Sequence, residues 1–310
     1  MIDFVIINYN TPELTCKCIE TIFYTYNQDS NIIVVDNNSS DNSLEYIKEK
    51  FPQVNLIANN SNLGYAKAVN IGVNSTNSSY VLVTNSDVEF HKNSIYLIEK
   101  MLIENNNIGV AGFLQFYPNK SPQRSYGYYP SFKLAIFELF FLISFIEKFN
   151  LWKRKFEYFQ SKNFSVDYID GAALLIRKDL FHKLNGFDED YFFYSEEADF
   201  CYRVSKNGYK NTINPKATIT HIRGGSNSEN NNFNLKSILM NENANFIFLK
   251  KNCNRFIQSF FIFSRKFRFS LLNKIAIFIS YFKNNNEKDF WQKKSRNYSE
   301  ISFFWKNINR

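Results

Sequence analysis

The sequence is short of the residues that punctuate, cross-link or anchor a chain: its 310 residues hold 10 Gly, 6 Pro and 4 Cys. Four cysteines are too few for a disulfide scaffold. Cys16 and Cys18 lack the second Cys or His pair that a zinc site needs, and Cys201 and Cys253 stand alone, so all four read as reduced thiols of a cytosolic protein. The few glycines form no Gly-x-Gly-x-x-Gly after the first apolar run and no Gly-x-x-x-x-Gly-Lys-[Ser/Thr]. A dinucleotide cradle and a P-loop are therefore disfavoured. The N-terminus, Met-Ile-Asp-Phe-Val-Ile-Ile-Asn, carries no basic stretch ahead of its apolar one and reads as a strand, not as a signal peptide. Long apolar runs are missing too. Residues 134–146 are interrupted by Glu138 and too short to span a bilayer, and residues 256–282 carry Arg265, Lys266, Arg268 and Lys274.

What the sequence has in quantity is aromatic residues, 34 Phe and 19 Tyr, within a 45% apolar composition that excludes a disordered chain. The length buries a substantial core, in one large domain or two smaller ones. The formal charge is +8, which raises nucleic acid, phosphate-bearing ligands and anionic membrane as partners. Its distribution is uneven: residues 237–310 hold 14 Lys+Arg against 4 Asp+Glu, and the preceding 236 residues hold 23 against 25. No recognised nucleic-acid motif accompanies the basic tail, so nucleic acid is not an expected partner.

Along the chain, apolar runs alternate with helical patterns. Asp3–Asn8, Asn31–Asp36, Val54–Ala58 and Tyr80–Thr84 predict strands. Thr11-Pro12-Glu13 predicts a helix start with Thr11 as its cap, and further helices are predicted over about 43–50 and 66–74. This alternation predicts an α/β fold with a mostly parallel sheet covered on both faces. A turn at Gly171-Ala172-Ala173 leads into Leu174-Leu175-Ile176, helices are predicted over about 179–184 and 196–207, and the chain reads as helical from about 236 with a polar break at 284–286. Abundant asparagine, 43 residues, spreads turn signals everywhere.

In an open parallel sheet, ligands bind beyond the carboxyl ends of the strands. Strand one ends in Asn8-Tyr9-Asn10, strand two in Asp36-Asn37-Asn38-Ser39-Ser40-Asp41, and strand four in Asn85-Ser86-Asp87. Any one of these is ordinary turn chemistry; three on one edge point to a ligand site. A nucleotide held without a glycine cradle needs another neutraliser for its phosphates, and a divalent cation on a carboxylate such as Asp87 supplies one. Glu196, Glu197 and Asp199 place three carboxylates at a helix start. They complement the helix dipole there, and they also raise one another's pKa, as a general base requires.

Several further motifs occur in the same order. They are Asn62-Leu63-Gly64-Tyr65-Ala66-Lys67, Asp167-Tyr168-Ile169-Asp170-Gly171-Ala172-Ala173, Gly186-Phe187-Asp188-Glu189, Tyr194-Ser195-Glu196-Glu197-Ala198-Asp199, Gly208-Tyr209 and His221-x-x-Gly224-Gly225-Ser226. With the strand ends above, the set resembles family 2 glycosyltransferases of the GT-A fold, in their rhamnosyltransferase-like branch, over roughly residues 2–226. The resemblance implies a GT-A catalytic domain over 1–235, with a nucleotide-sugar half to about 110 and an acceptor half beyond it. A basic, aromatic helical tail follows over 236–310.

It also implies an inverting transfer from a nucleoside-diphosphate sugar, dTDP- or UDP-linked, to a glycan or lipid-linked glycan. Tyr9, Asn10, Asp36, Asn37, Lys67, Asn85, Ser86 and Asp87 would line the donor site, with Asp36 on the base. Gly171, Ala172 and Glu196 would meet the acceptor, and Glu197 would be the base. Mg²⁺ or Mn²⁺ would sit on Asp87 and His221, although Asn85-Ser86-Asp87 keeps only the last carboxylate of the family's Asp-x-Asp. His221 reads equally as a hydrogen-bonded histidine at a strand end, and Lys67 as a solvated lysine. Asp199 and Arg203, one helical turn apart, are expected to pair structurally. The tail reads either as a dock on the anionic inner face of the cytoplasmic membrane or as a helical cap, and Phe-rich residues 132–149 as part of that surface or as an acceptor lid. The rival classes are a sugar nucleotidyltransferase and a non-catalytic membrane-associated subunit.

Overall fold

The structure, a computed structural model, describes residues 1–140, 162–222 and 235–308. Gly224, Gly225 and Ser226 of the last motif, and residues 141–149 of the Phe-rich stretch, lie outside the described residues. The chain divides into two units, one of Met1–Tyr129 with Lys153–Ser228 and one of Pro130–Trp152 with Glu229–Arg310.

In the first unit, β1 (Ile2–Asn8), β2 (Ile32–Asp36), β3 (Asn55–Ala58) and β4 (Tyr80–Asn85) pair in parallel in the order β3-β2-β1-β4. They are connected by α1 (Pro12–Thr25), α2 (Ser43–Lys50) and α3 (Tyr65–Asn74). Then come β5 (Val88–Phe90), α4 (Ser94–Glu104), β6 (Ile108–Phe116) and β7 (Tyr126–Gly127), and α5 (Phe132–Leu139) of the second unit. The first unit resumes with β8 (Phe164–Val166), β9 (Tyr168–Ile169), β10 (Ala173–Arg177), α6 (Lys178–Lys183), α7 (Glu196–Lys206) and β11 (Lys210–His221). Among the described residues the main sheet runs β3-β2-β1-β4-β10-β6-β11-β5, with β8 added on β11. Parallel pairing resumes between β6 and β11, but β10 lies antiparallel to both β4 and β6.

Burial on both faces explains the continuous apolar runs. Successive residues of a strand point to opposite sides. Phe4 and Ile6 pack with Ile19 and Ile22 of α1 and Ile98 of α4, while Val5 and Ile7 pack with Val69 and Val73 of α3 and Phe200 of α7. The register then fixes the functional edge. Asn8 pairs with Asp36 and Ile7 with Asn85, so β1, β2 and β4 end level. In β11 the register shifts between Asn214 and Thr218, where Pro215 has no N–H to give to a ladder. Beyond that shift Ile219–His221 pair with β5, which sets His221 opposite Val88, one residue from Asp87.

The second unit has its own core. Around α5, α8 (Leu235–Asn252), α9 (Arg255–Ser280) and α10 (Asn285–Asn307), the side chains of Ala135, Leu249, Phe261, Phe269, Ile301 and Trp305 are buried together. Asn254 and Asn284 cap α9 and α10, their side chains accepting the amides of Ile257 and Glu287 at 3.0 and 3.1 Å. The polar break at 284–286 is thus a helix start. No helix among the described residues is long and apolar enough to cross a membrane.

Candidate active site

The first two polar clusters form one hydrogen-bonded network, buried at Asn8 and Asp36 and exposed at Asn10 and Ser40. Asn8 at the end of β1 donates through Nδ2 to Asp36 Oδ1 at 2.6 Å, and its Oδ1 accepts the hydroxyls of Thr11 and Thr15 at 3.1 and 2.7 Å. Asp36 also accepts Ser39 Oγ at 2.6 Å and the Ser39 amide at 2.9 Å. Asn10, in the left-handed region at φ 55°, accepts the Ser40 amide at 2.7 Å. Thr11 stands at the start of α1 but makes no capping bond; its hydroxyl meets Ser86 Oγ at 2.8 Å and so ties the end of β1 to the third cluster. Tyr9 is exposed on the same edge. Asn37 is buried and engaged at both ends of its amide: it donates to Asn62 Oδ1 and Gly64 O, and accepts from Asn59 Nδ2 and the Leu63 amide. It shapes the 59–64 loop.

Asp87 and His221, brought together by the β5–β11 pairing, are both buried, with Oδ1 and Nε2 3.3 Å apart. His221 Nδ1 faces Gln123 Oε1 at 2.8 Å and Gln115 Oε1 at 3.2 Å. Both amides are oriented by a second bond, Gln123 Nε2 donating to His221 O at 3.0 Å and Gln115 Nε2 to Asp170 Oδ1 at 3.3 Å. Nδ1 therefore carries the proton, and in the neutral ring Nε2 turns a lone pair toward a carboxylate oxygen. Two acceptors at that separation repel unless a proton or a cation is shared between them. A carboxylate oxygen and an imidazole nitrogen fit a divalent ion such as Mn²⁺. Among the described residues no group of three or more His, Cys, Asp or Glu could hold a metal.

The acidic helix start lies against the turn after β9. Two consecutive residues, Tyr194 (φ 76°) and Ser195 (φ 66°), adopt the left-handed conformation just before α7. Such strain in non-glycine residues concentrates at functional sites. A Cβ built on Gly171 would lie 3.5–3.7 Å from Glu197 Cβ, Cγ and Cδ, so this turn passes directly over the carboxylate arm. Glu197 is half-buried, and its pKa is pushed up to about 7, by burial first and the Asp170 charge second, with Arg124 pulling the other way. Glu196 is buried and raised well above the ordinary value, by burial and then by Glu197, and its Oε2 has no hydrogen-bond partner. Tyr65 links the two halves. Its hydroxyl donates to Gly171 O at 3.3 Å and is held neutral by burial and by the charges of Glu196, Glu197, Asp87 and Asp170, so these four carboxylates converge on one region.

Other sequence-predicted residues take supporting places. Lys67 Nζ is exposed and lies 3.8 Å from Glu189 Oε2. Ala172 is buried in the turn just before β10, and its carbonyl accepts the Asn85 amide at 2.9 Å and Thr84 Oγ1 at 3.0 Å. Asp199 and Arg203 pair at 2.7 Å, and Arg203 Nη2 donates to Gly186 O at 2.9 Å, the structural role expected of them. Sequence reasoning missed Gln115, Gln123, Arg124 and the role of Asp170. Gln115 was findable: it lies near the end of β6, a parallel strand whose terminus deserved the same reading as β1, β2 and β4.

A sequence model of glycosyl transferase family 2 matches residues 3–184. The chain is 26% identical over 208 residues to an N-acetylglucosaminyl-diphospho-decaprenol L-rhamnosyltransferase of Mycobacterium tuberculosis, covering 63% of this chain and 67% of that protein. Among solved structures, the mannosyltransferase PcManGT from Pyrobaculum calidifontis, in complex with GDP-Man and Mn²⁺, matches with a TM-score of 0.63 at 11% identity, over 100% of this chain and 88% of that one. GalNAc-T7 with UDP, GalNAc and Mn²⁺ matches with a TM-score of 0.63 at 12% identity, over 98% and 57%. Likeness at this level carries the fold, which is the GT-A arrangement expected from the strand-end motifs.

Proposed function

The chain belongs to glycosyl transferase family 2, and we propose that it moves a sugar, with inversion, from a nucleoside-diphosphate sugar to a hydroxyl of a lipid-linked glycan. The donor is dTDP- or UDP-linked, with dTDP-rhamnose the first to test, and the acceptor belongs to a cell-envelope polysaccharide precursor on the inner face of the cytoplasmic membrane. The acceptor class is supported by the name of the mycobacterial relative. The observation that carries the chemistry is Glu197, a carboxylate with a pKa near 7 lying against the Gly171 turn, within the carboxylate cluster around Tyr65 that includes Asp87.

The donor's base and ribose occupy the edge lined by Tyr9, Asn10 and Asp36, with Asn85 and Ser86 beside them. Asp87 and His221 would hold Mg²⁺ or Mn²⁺, which when bound supplies positive charge to the departing diphosphate. Glu197 accepts the proton of the acceptor hydroxyl as that oxygen forms its bond to the anomeric carbon. The bond from that carbon to the diphosphate breaks on the opposite face, and the diphosphate leaves with the electron pair. The Gly171 turn beside Glu197 would border the acceptor.

A base with this pKa is mostly protonated below neutrality, so kcat/KM should rise with pH through about 7 and then level off. Glu197→Gln keeps the shape and removes the base. We expect it to lower kcat by roughly 10²–10⁴-fold and to leave calorimetric binding of the nucleotide sugar unchanged. Turnover near the wild-type rate in that variant would remove Glu197 from the reaction.

A further inference from the structure

The second unit presents an apolar face that its own core uses only at one end, where Phe260 packs against the core and Phe256 and Phe260 lie against Phe132. Phe256, Phe260, Phe263, Phe267 and Phe278 recur along α9 at steps of three, four or eleven residues, and Phe282 follows just past its end. At 100° per residue they fall within an arc of about 100°. Phe256, Phe263, Phe278 and Phe282 are 57–73% exposed, and Phe263 stacks on Phe267 as Phe278 packs on Phe282. The opposite face of α9, with Phe261, Ile262, Phe269 and Ala276, is the one buried in the core. Single exposed apolar residues are normal at a protein surface; two exposed aromatic groups on one side of a 26-residue helix and its end, Phe263 with Phe267 and Phe278 with Phe282, with the 40%-exposed Ile275 between them, are not.

We propose that this stripe lies in the headgroup and upper acyl region of an anionic lipid bilayer, with α9 parallel to the membrane plane. The commitment to lipid rests on charge and shape together. Residues 237–310 carry 14 Lys+Arg against 4 Asp+Glu, so a second copy seated on the stripe would bring like charge against like, whereas an anionic surface is complementary. Lys266 flanks the stripe on α9, Lys274 interrupts it between Phe267 and Phe278, and Lys283 lies beyond the helix; their long stems let the ammonium groups reach headgroups while the rings enter the apolar layer. Those same charges keep the helix from spanning the membrane. The inference rests on the reading that the acceptor is lipid-linked, and it names the surface that brings the enzyme to such an acceptor.

The test is co-sedimentation of the full chain with vesicles of phosphatidylcholine plus phosphatidylglycerol, against phosphatidylcholine alone, at low and high salt. The wild type should pellet with the anionic vesicles and be released as salt screens the charge. Phe263→Gln, Phe267→Gln and Phe278→Gln together should weaken binding by about tenfold or more. Lys266→Gln with Lys274→Gln should weaken it about fivefold per charge on anionic vesicles and leave neutral ones unaffected. Calorimetric binding of the nucleotide sugar with Mn²⁺ should persist in every variant, which separates loss of docking from loss of fold; failure of the wild type in that assay would count against the enzymatic reading alone. Wild-type protein staying in the supernatant, or a triple Phe variant pelleting as well as wild type, would overturn the proposal. So would a concentration-dependent dimer that the Phe substitutions dissolve while vesicle binding stays unchanged.

Discussion

Adjacent residues at the head of α7 do different work because their surroundings differ. Glu197 is half-buried against a glycine turn and faces a compensating cation, Arg124, so it can exchange a proton near neutrality. Glu196 is buried with an unpartnered oxygen, and burial and the Glu197 charge raise its pKa well above the ordinary carboxylate value. A carboxyl whose pKa is higher in the folded chain than in the unfolded one binds more protons when folded. It therefore favours folding at low pH and loses that contribution as pH rises above the ordinary carboxylate range. Glu196→Gln should raise the melting temperature of the protein at alkaline pH and change little near pH 5. The gain expected from relieving one unsatisfied buried charge is about 1 kcal/mol, or roughly 2–4 °C. An equal shift at both pH values would mean that ionisation of Glu196 is not its source. Gln123 acts one step further out. By accepting from Nδ1 it keeps the Nε2 lone pair of His221 aimed at Asp87, so Gln123→Leu should cost about 10–100-fold in Mn²⁺ affinity, read by calorimetry with nucleotide present. Unchanged affinity would show that the ring needs no such orientation.

At the scale of elements, the site depends on two loops pressed together. Gly64 precedes α3 at φ 82°, and a Cβ there would stand 2.5 Å from Phe192 O, the same carbonyl that accepts the Tyr65 amide at 2.8 Å. Both the conformation and the space demand glycine. Gly64→Ala should push away the 192–195 segment that aims α7. We expect a loss of about 1–3 kcal/mol in stability and a fall in kcat larger than any change in donor affinity. A variant with wild-type kcat would uncouple that loop from the chemistry. This coupling was not legible beforehand, because nothing in Asn62-Leu63-Gly64 says what will approach it. The sheet edge was legible for a physical reason: β1, β2 and β4 are buried on both faces, so their apolar runs are unbroken and their polar ends stand out. The long strand β11 was not, since Asn211, Asn214 and Pro215 break its apolar pattern, and with it went the pairing that carries His221 to Asp87. Thr11 illustrates the limit of local rules: a sound capping residue by type gives its hydroxyl to the buried tertiary partners Asn8 and Ser86 and makes no capping bond.

For the whole molecule, the uneven charge noted along the sequence coincides with a division of labour between two cores. The first unit, mildly acidic, holds every candidate catalytic residue; the second, strongly basic, closes around Trp305, whose indole donates to the buried Glu242 at 2.8 Å, with Arg265 Nη1 3.4 Å from the same carboxylate. Each unit encloses buried hydrophobic clusters of its own, so each has the means to melt as its own cooperative body. Trp305→Ala removes the largest buried side chain of the second core and strips Glu242 of its indole donor, a loss of about 3–5 kcal/mol. Calorimetry should then resolve two transitions, with the one belonging to the basic unit moved down by several degrees and the one raised by nucleotide sugar and Mn²⁺ left in place. If both transitions fell together, the cores would be energetically one, and vesicle binding through α9 would have to alter donor affinity as well. If only the first moved, membrane attachment and catalysis would be separable properties of the chain, each open to mutation without the other.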